Sequence, residues 1–164
     1  MRFTRHLSLL LLSTLAAFVQ AETGAGGWLR YAPLTNTAAA SYASLPSQIV
    51  VLGNTPTDQT AASELQRGLT SMLGRPFTVS NPGTLSDEDR RDVIFLTSIA
   101  TLSRIATVDQ TERPVVDEDF LIRSAHENGH MHLLLLGGTP QSELYAVFHL
   151  LEEIASQQIG RAHV

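Results

Sequence analysis

The chain has 164 residues, which is enough for one ordinary domain. It contains no cysteine, and a domain of this size can bury enough apolar surface without disulfides. Residues 22–158 carry 8 arginines, no lysine and 16 acidic residues, a net charge of −8. This balance argues against nucleic acid and anionic membrane surfaces as partners, because both require clustered positive charge.

The first 21 residues are predicted to be a secretory signal peptide. A basic start is followed by 13 mostly apolar residues, Leu7–Val19. As a helix this run would be about 20 Å long, which is too short for a bilayer core of about 30 Å. Val19 and Ala21 form the small-residue pattern of a cleavage site before Glu22. We therefore expect a mature chain that starts at Glu22 and is secreted, to the medium or to a periplasm, without a membrane anchor.

A strand, a helix and a second short strand are predicted in the first half of the chain. Gln48–Gly53 is a β-branched run that ends in glycine, which is typical of a buried strand. Thr55 and Pro56 mark the start of a helix, and Gly74 marks its end. Spacings of four, four and three residues give this helix one apolar stripe: Ala61, Leu65, Leu69 and Met72. Phe77–Ser80 can form the next strand.

The second half is predicted to contain a strand, a short helix and a hairpin. Val93–Leu96 is another buried strand, and Ser98–Ala106 has the apolar face of a short helix. Phe120–His126 and Met131–Leu136 flank the pair Asn128-Gly129. Asn-Gly is a hairpin signal because both residues tolerate a positive φ.

The last helix repeats the design of the first long one. Thr139 and Pro140 start it, and its predicted stripe is Leu144, Val147, Phe148, Leu151, Ile154 and Ala155. Two units, Val50–Leu73 and Leu133–Gln157, thus share a strand, a glycine, Thr-Pro and an amphipathic helix. The predicted order β, α, β, β, α, β, β, α favours an α/β (α+β) two-layer fold, with helices packed on a mixed sheet. The chain has no Gly-x-Gly-x-x-Gly or Walker pattern.

No catalytic, cofactor-binding or metal-binding residue is predicted. Three histidines lie near the hairpin, where a two-residue turn makes His126 face Met131. His130 and His132 then share the other face with Glu127. Two imidazoles and one carboxylate at a sheet edge fall short of the enclosed set that zinc requires. We interpret them as polar residues on the exposed face of the hairpin.

The acidic runs and the N-terminal aromatic residues are also interpreted as structural and not as functional. Asp87-Glu88-Asp89 and Asp117-Glu118-Asp119 lack the glycine and distal glutamate of an EF-hand, and are interpreted as solvated loops. Glu152-Glu153 is expected on the outer face of the last helix. No Gly-x-Ser-x-Gly pattern indicates a hydrolase triad. Trp28 and Tyr31 could stack on a sugar ring, but we expect them to anchor the N-terminal segment.

Three segments carry a resemblance to a known family. The first is Trp28–Leu34, which opens with Trp-Leu-Arg-Tyr, and the second is Ala61–Leu73. The third consists of the strand that begins Phe120-Leu121-Ile122, the second hairpin strand through Gly137, and the helical segment Leu144–Leu151. Together they resemble the N-terminal domain of glycoside hydrolase family 67, the α-glucuronidases. The third segment is shared with β-hexosaminidase N-terminal domains.

The chain departs from that family at the start of the last helix. The family usually has Arg-Gly before the Leu-Tyr pair and Gly after it. Ser142-Glu143 and Ala146 stand there in this chain. A change from Gly to Ala within a helix should be benign or stabilising where no other backbone packs against it.

The resemblance implies a two-layer module that precedes a (β/α)₈ catalytic barrel. In the family, the barrel removes α-1,2-linked (4-O-methyl)glucuronic acid from xylo-oligosaccharides with inversion, using two carboxyl groups at strand ends. No residue of this chain matches them, so residues 22–158 are expected to be a non-catalytic domain of an enzyme, inactive alone. The implied partners are the barrel of the same polypeptide and, through it, xylan-derived oligosaccharide, and the full-length protein could form a homodimer.

Residues 159–164 do not continue the helical stripe. They coincide with one reading frame of a common sequencing-adapter oligonucleotide, ATC GGA AGA GCA CAC GTC, followed by the stop codon TGA. We therefore predict adapter read-through, with the natural frame continuing beyond Gln158. Two alternatives remain: a free-standing secreted carbohydrate-binding module that uses Trp28 and Tyr31, and a β-hexosaminidase accessory domain, against which the opening motif counts.

Overall fold

The computed structural model describes residues 31–98, 101, 118–127 and 129–159. Five strands lie in these ranges: β1 (Gln48–Val51), β2 (Thr78–Ser80), β3 (Val93–Ser98), β4 (Phe120–Glu127) and β5 (His130–Gly137). Three helices accompany them: α1 (Asn36–Ala40), α2 (Pro56–Leu73) and α3 (Pro140–Ile159). The predicted signal peptide, the residues Trp28-Leu29-Arg30, most of the predicted helix at 98–106, Asp117, and the tail after Ile159 lie outside the described residues.

The strands form one mixed sheet in the order β2-β1-β3-β5-β4. β1 runs parallel to both β2 and β3, and β3 runs parallel to β5. β4 pairs antiparallel with β5, with His126 opposite Met131 and Glu127 opposite His130. This register requires the two-residue turn that the sequence predicts, in which Gly129 has a φ of 84°. The predicted mixed sheet with helices packed on it is confirmed.

Local signals fix both ends of α2. Thr55 accepts the N–H of Asp58 through its hydroxyl, and the Asp58 carboxylate accepts the N–H of Thr55, a complete capping box. Pro56 occupies the first turn, and Gly74 ends the helix in the left-handed conformation with a φ of 64°. All four residues of the predicted stripe are buried in the main core.

The main core lies between the sheet and the two long helices, α2 and α3. Ile49, Ile94 and Leu135 contribute to it from the sheet. At the contact between the helices, a Cβ on Gly68 would lie 2.7 Å from a methyl carbon of Leu151, so glycine permits a close approach. The opposite face of the sheet carries a second buried cluster: Val50, Val93, Phe95, Leu134 and Leu136.

The buried face of α3 is rotated from the predicted stripe. Three of the six predicted residues are fully buried: Val147, Leu151 and Ile154. The other three are half-buried: Leu144, Phe148 and Ala155. The remaining buried positions of the helix are Ser142, Glu143, Ala146 and Leu150. The stripe was therefore partly wrong, because α3 packs against α2 as well as the sheet and buries a wider face than one stripe. Glu152 and Glu153 are exposed, as predicted.

In the described ranges, no helix is both long enough and apolar enough to cross a membrane.

Candidate functional site

Two helix N-termini lie at the carboxyl edge of the parallel strands. α2 begins five residues after β1 ends, and α3 begins three residues after β5 ends. At α3, Thr139 donates its N–H to the hydroxyl of Ser142 (2.9 Å), and Ser142 donates its N–H to the hydroxyl of Thr139 (3.2 Å). Serine therefore caps α3 in the way that Asp58 caps α2.

A close approach of helix and strand encloses each N-terminus. A Cβ on Gly53 would lie 2.2 Å from a carboxylate oxygen of Asp58. A Cβ on Gly137 would lie 2.5 Å from the backbone nitrogen of Glu143. Gly53 and Gly137, the glycines of the two predicted strand-glycine-helix units, are thus required because a side chain at either position would not fit.

Asp58 and Glu143 form a buried acidic pair between the two helix starts. Their side chains are almost fully enclosed, with 1% of Asp58 and 2% of Glu143 exposed. One oxygen of Asp58 accepts the N–H of Thr55 at 2.7 Å. Its second oxygen, Oδ1, and the Oε2 atom of Glu143 have no hydrogen-bond partner among the described residues. Buried polar atoms are normally satisfied, so these two oxygens require an explanation.

Burial, and next the nearby charge of Asp58, raise the pKa of Glu143 from 4.5 to about 8. The α3 dipole opposes this shift because a helix N-terminus favours negative charge. That effect is worth about 1 kcal/mol, which is less than one pKa unit. The desolvation of the carboxylate is the larger effect, so the pKa of Glu143 stays raised.

This pair has the two carboxyl groups of a glycosidase site but lacks an opening through which a sugar could reach them. A carboxyl with a raised pKa beside a second carboxylate is the arrangement from which acid catalysis can proceed. A sugar must also reach both groups, and catalytic sites are open clefts or pockets. The enclosure of Asp58 and Glu143 excludes a sugar ring, so the geometry assigns them no role in glycoside hydrolysis.

Three rings form an exposed patch where β4 meets α3. The rings of Phe120 and His149 have centroids 5.5 Å apart, and Tyr145 lies one turn before His149. Tyr145 is 48% exposed and Phe120 is 37% exposed. The Tyr145 hydroxyl accepts a hydrogen bond from Gln141 (2.9 Å). We call Phe120, Tyr145 and His149 the aromatic patch; its residue types are those that interfaces favour.

Tyr31 is anchored on α2. Its hydroxyl donates to Glu64 at 3.2 Å, and Arg67 donates to the same carboxylate oxygen at 2.7 Å. The Arg67 guanidinium also lies 4.9 Å from the ring centroid of Tyr31. Burial, and next the Glu64 charge, raise the pKa of Tyr31 to about 12. One face of this ring is therefore covered by Arg67, which leaves less of it for a sugar.

The hairpin histidines do not share one environment. His130 lies 3.2 Å from a carboxylate oxygen of Asp92, while the other oxygen of Asp92 accepts the N–H of Met131. His132 is buried, and its ring packs against Phe95. The interpretation of His132 as a residue on an exposed face was wrong, because the second cluster covers this face of the sheet. Within the ranges that the structure describes, no group of three or more metal-ligand side chains is assembled.

The acidic runs do not contribute to a site in the described part of the chain. The Asp89 carboxylate accepts hydrogen bonds from the N–H and the hydroxyl of Ser86, which precedes a short 3₁₀ turn, Glu88–Arg90. Glu118 is exposed. The acidic pair of Asp58 and Glu143 was not predicted, and no local pattern of the sequence indicates it.

The fold and its helix junctions define a two-layer α/β domain. Comparison with known families matches residues 27–150 to the domain described as the N-terminus of glycosyl hydrolase family 67. The match covers most of the chain and includes all five strands. The chain belongs to this family of N-terminal domains, as the resemblance implies.

The similar proteins are much longer than this chain. It is 29% identical over 155 residues to α-glucuronidase A of Emericella nidulans, covering 93% of this chain and 17% of that protein. It is 31% identical over 145 residues to the probable α-glucuronidase A of Aspergillus terreus, covering 85% and 16%. A probable α-glucuronidase A of Aspergillus niger is 30% identical over 166 residues, covering 95% and 18%. The chain thus spans about one sixth of the length of these relatives.

Proposed function

We propose that this chain is the non-catalytic N-terminal domain of a secreted α-glucuronidase. The complete enzyme would remove α-1,2-linked (4-O-methyl)glucuronic acid from xylo-oligosaccharides during xylan breakdown. The observation that carries the proposal is the family match over residues 27–150, in relatives that are about six times longer. The chemistry then belongs to a catalytic barrel in the same polypeptide.

The described side chains support a non-catalytic role. An inverting glycosidase needs two carboxyl groups about 6.5–9.5 Å apart, with room for a sugar and a water between them. The buried carboxyl pair, Asp58 and Glu143, offers no such room because both side chains are enclosed. The domain would therefore act by packing on the barrel.

The aromatic patch is our candidate for the contact with the barrel. Phe120 and Tyr145 are two of the three large apolar residues exposed in the described ranges. Aromatic side chains bury much area at little entropic cost, and they are enriched in the centres of interfaces. The polar rim, which includes Gln141 and Glu153, would complete such a contact.

An activity assay tests the non-catalytic role. The purified chain is incubated with xylotriose that carries 4-O-methylglucuronic acid, and a complete family 67 enzyme serves as positive control. We expect no release of glucuronic acid from the chain alone. Release that scales with the chain's concentration, and that persists after removal of contaminants, would refute the proposal.

Long-read sequencing of the source locus from the codon of Gln158 tests the link to a barrel. We expect the frame to continue for several hundred residues with the strand-helix periodicity of a barrel and acidic strand ends. A genomic stop after Val164 would contradict both the barrel and the proposed adapter tail.

The substitution Tyr145→Ser in the complete enzyme should lower its thermal stability, while Glu152→Gln on the same helix should not.

The alternative is a free-standing secreted carbohydrate-binding domain. The aromatic patch is the observation that favours it, because exposed rings stack on sugars. Retardation of the chain in xylan-containing gels, abolished by Tyr145→Ser, would support this alternative over the first. Equal mobility with and without xylan would leave the accessory-domain proposal in place.

A further inference from the structure

We propose that the buried Glu143 at the start of α3 keeps its proton at neutral pH, near the buried Asp58 at the start of α2, so that the domain is most stable in mild acid. This proposal does not depend on the proposed enzymatic function.

The geometry gives each carboxyl group one unsatisfied oxygen. Asp58 uses Oδ2 to accept the N–H of Thr55, which leaves Oδ1 without a partner. Glu143 has Oε2 without a partner. A protonated carboxyl is a donor as well as an acceptor, whereas a carboxylate only accepts. A proton on Glu143 therefore gives this enclosed group a donor, which a carboxylate lacks.

Burial makes the fully ionised pair unfavourable. Two negative charges in a water-poor site cannot both be stabilised, and the group with fewer hydrogen bonds takes up the proton. Asp58 has the capping bond to Thr55, so Glu143 is the group that is protonated. The pKa of Glu143 is raised to about 8 by burial and then by Asp58, which agrees with this assignment.

In the described neighbouring elements, the other charged groups pair with one another or lie on the far face of the sheet. On α2, Glu64 and Arg67 pair with each other. On β4, Arg123 stands opposite Leu134, whose side chain belongs to the cluster on the far face of the sheet.

The remaining groups act away from the junction as well. On β5, His130 contacts Asp92 and His132 packs on Phe95 of the far cluster. On α3 itself, His149 contacts Glu153 at the surface. Asp119 meets the β5–α3 turn through its main-chain oxygen, which accepts the N–H of Gly138. Among the described residues, Asp58 is the charged group whose field acts on Glu143.

The sign of the pH dependence follows from the raised pKa of Glu143. The unfolded chain loses this proton near pH 4.5, while the folded chain keeps it up to about pH 8. Between these values the unfolded state binds fewer protons, so stability falls as pH rises. The ratio of folded to unfolded chain should drop about tenfold per pH unit, and about a thousandfold over the whole window.

The test compares urea unfolding of the full chain and of Glu143→Gln between pH 4 and 9. Glutamine keeps the shape and the donor of a protonated glutamate, so the variant should lose the slope and exceed the wild type in stability above pH 8. Glu152→Gln removes one exposed charge from the same helix and should keep the wild-type slope. Equal slopes for the wild type and Glu143→Gln would overturn the proposal.

A direct titration makes the test independent of the folding of the variant. The side-chain ¹³C carboxyl signal of Glu143 in the wild type should titrate near pH 8. Titration near pH 4.5 would refute the retained proton. In Asp58→Asn the midpoint should fall, yet stay above 4.5, because burial is the larger cause of the shift. A rise in wild-type stability with calcium or magnesium at pH 8, absent in Glu143→Gln, would instead show a cation site and overturn the proposal.

Discussion

The substitution Gly137→Ala should loosen the junction between β5 and α3. The new Cβ would lie 2.5 Å from the backbone nitrogen of Glu143, about 1 Å closer than the ~3.5 Å at which non-bonded heavy atoms meet. That nitrogen donates to the carbonyl of Thr139 at 3.0 Å and belongs to the first turn of α3, so it cannot move alone. Either the helix start or the end of β5 must shift.

The expected cost follows from two opposing effects. Overpacking in a rigid site costs about 1–3 kcal/mol, and loss of glycine's freedom in the unfolded chain returns about 0.4–1 kcal/mol. Because the obstacle is backbone, we expect the upper part of the first range and a net loss of about 2 kcal/mol. With a urea slope of about 2 kcal/mol/M, the unfolding midpoint should fall by about 1 M.

Urea unfolding followed by circular dichroism at 222 nm measures this change. Gly83→Ala is the matched control, because a Cβ there meets no heavy atom within 4 Å and the φ of Gly83 is not positive. The control should leave the midpoint unchanged or raise it slightly. An equal midpoint for Gly137→Ala and the wild type would show that the close approach at this junction does not constrain the fold.

Three further changes test other junctions by the same measurement. Thr55→Ala removes the capping hydroxyl of α2 and should cost about 1 kcal/mol, whereas Thr55→Ser should cost little. Gly68→Ala should cost less than Gly137→Ala, because the obstacle is the end of the Leu151 side chain and a gain of about 1 kcal/mol in helix propensity offsets it. Asp92 has a φ of 48° and holds the N–H of Met131, so Asp92→Ala should destabilise the fold more than Asp92→Asn. Hydrogen bonds from the N–H of Met131 and from the side chain of His130 lower the pKa of Asp92. The stability that this carboxylate adds to the fold should therefore be lost as pH falls through that lowered value.

The elements that could be predicted are those whose signals lie within a few residues of each other. For α2, the Thr55 cap, the proline after it, one apolar stripe and Gly74 all agree, and the helix spans the expected residues. β3 extends two residues beyond its predicted end at Leu96 because Thr97 and Ser98 continue the ladder with β5. A strand end set by a distant partner leaves no trace in the local apolar pattern.

The acidic pair could not be predicted because it depends on distance in space alone. Asp58 and Glu143 are 85 positions apart in the chain, and each stands in a segment that reads as an ordinary helix start. Apolar residues crowd the following turns of α3, so periodicity alone allowed more than one buried face. The packing of α3 on both α2 and the sheet decides which face is buried and takes Glu143 with it.

The acidic residue stands one position later in the second helix unit than in the first, and its role differs between them. In the first unit, an aspartate stands three residues after the threonine and caps α2. In the second, Ser142 takes that capping place and the acidic residue follows it. One further residue turns a side chain by about 100° around a helix, so Glu143 points away from the cap although it is buried as well. Glu143 therefore cannot exchange hydrogen bonds with the cap as Asp58 does, and a proton is the simplest partner that the enclosed site can admit.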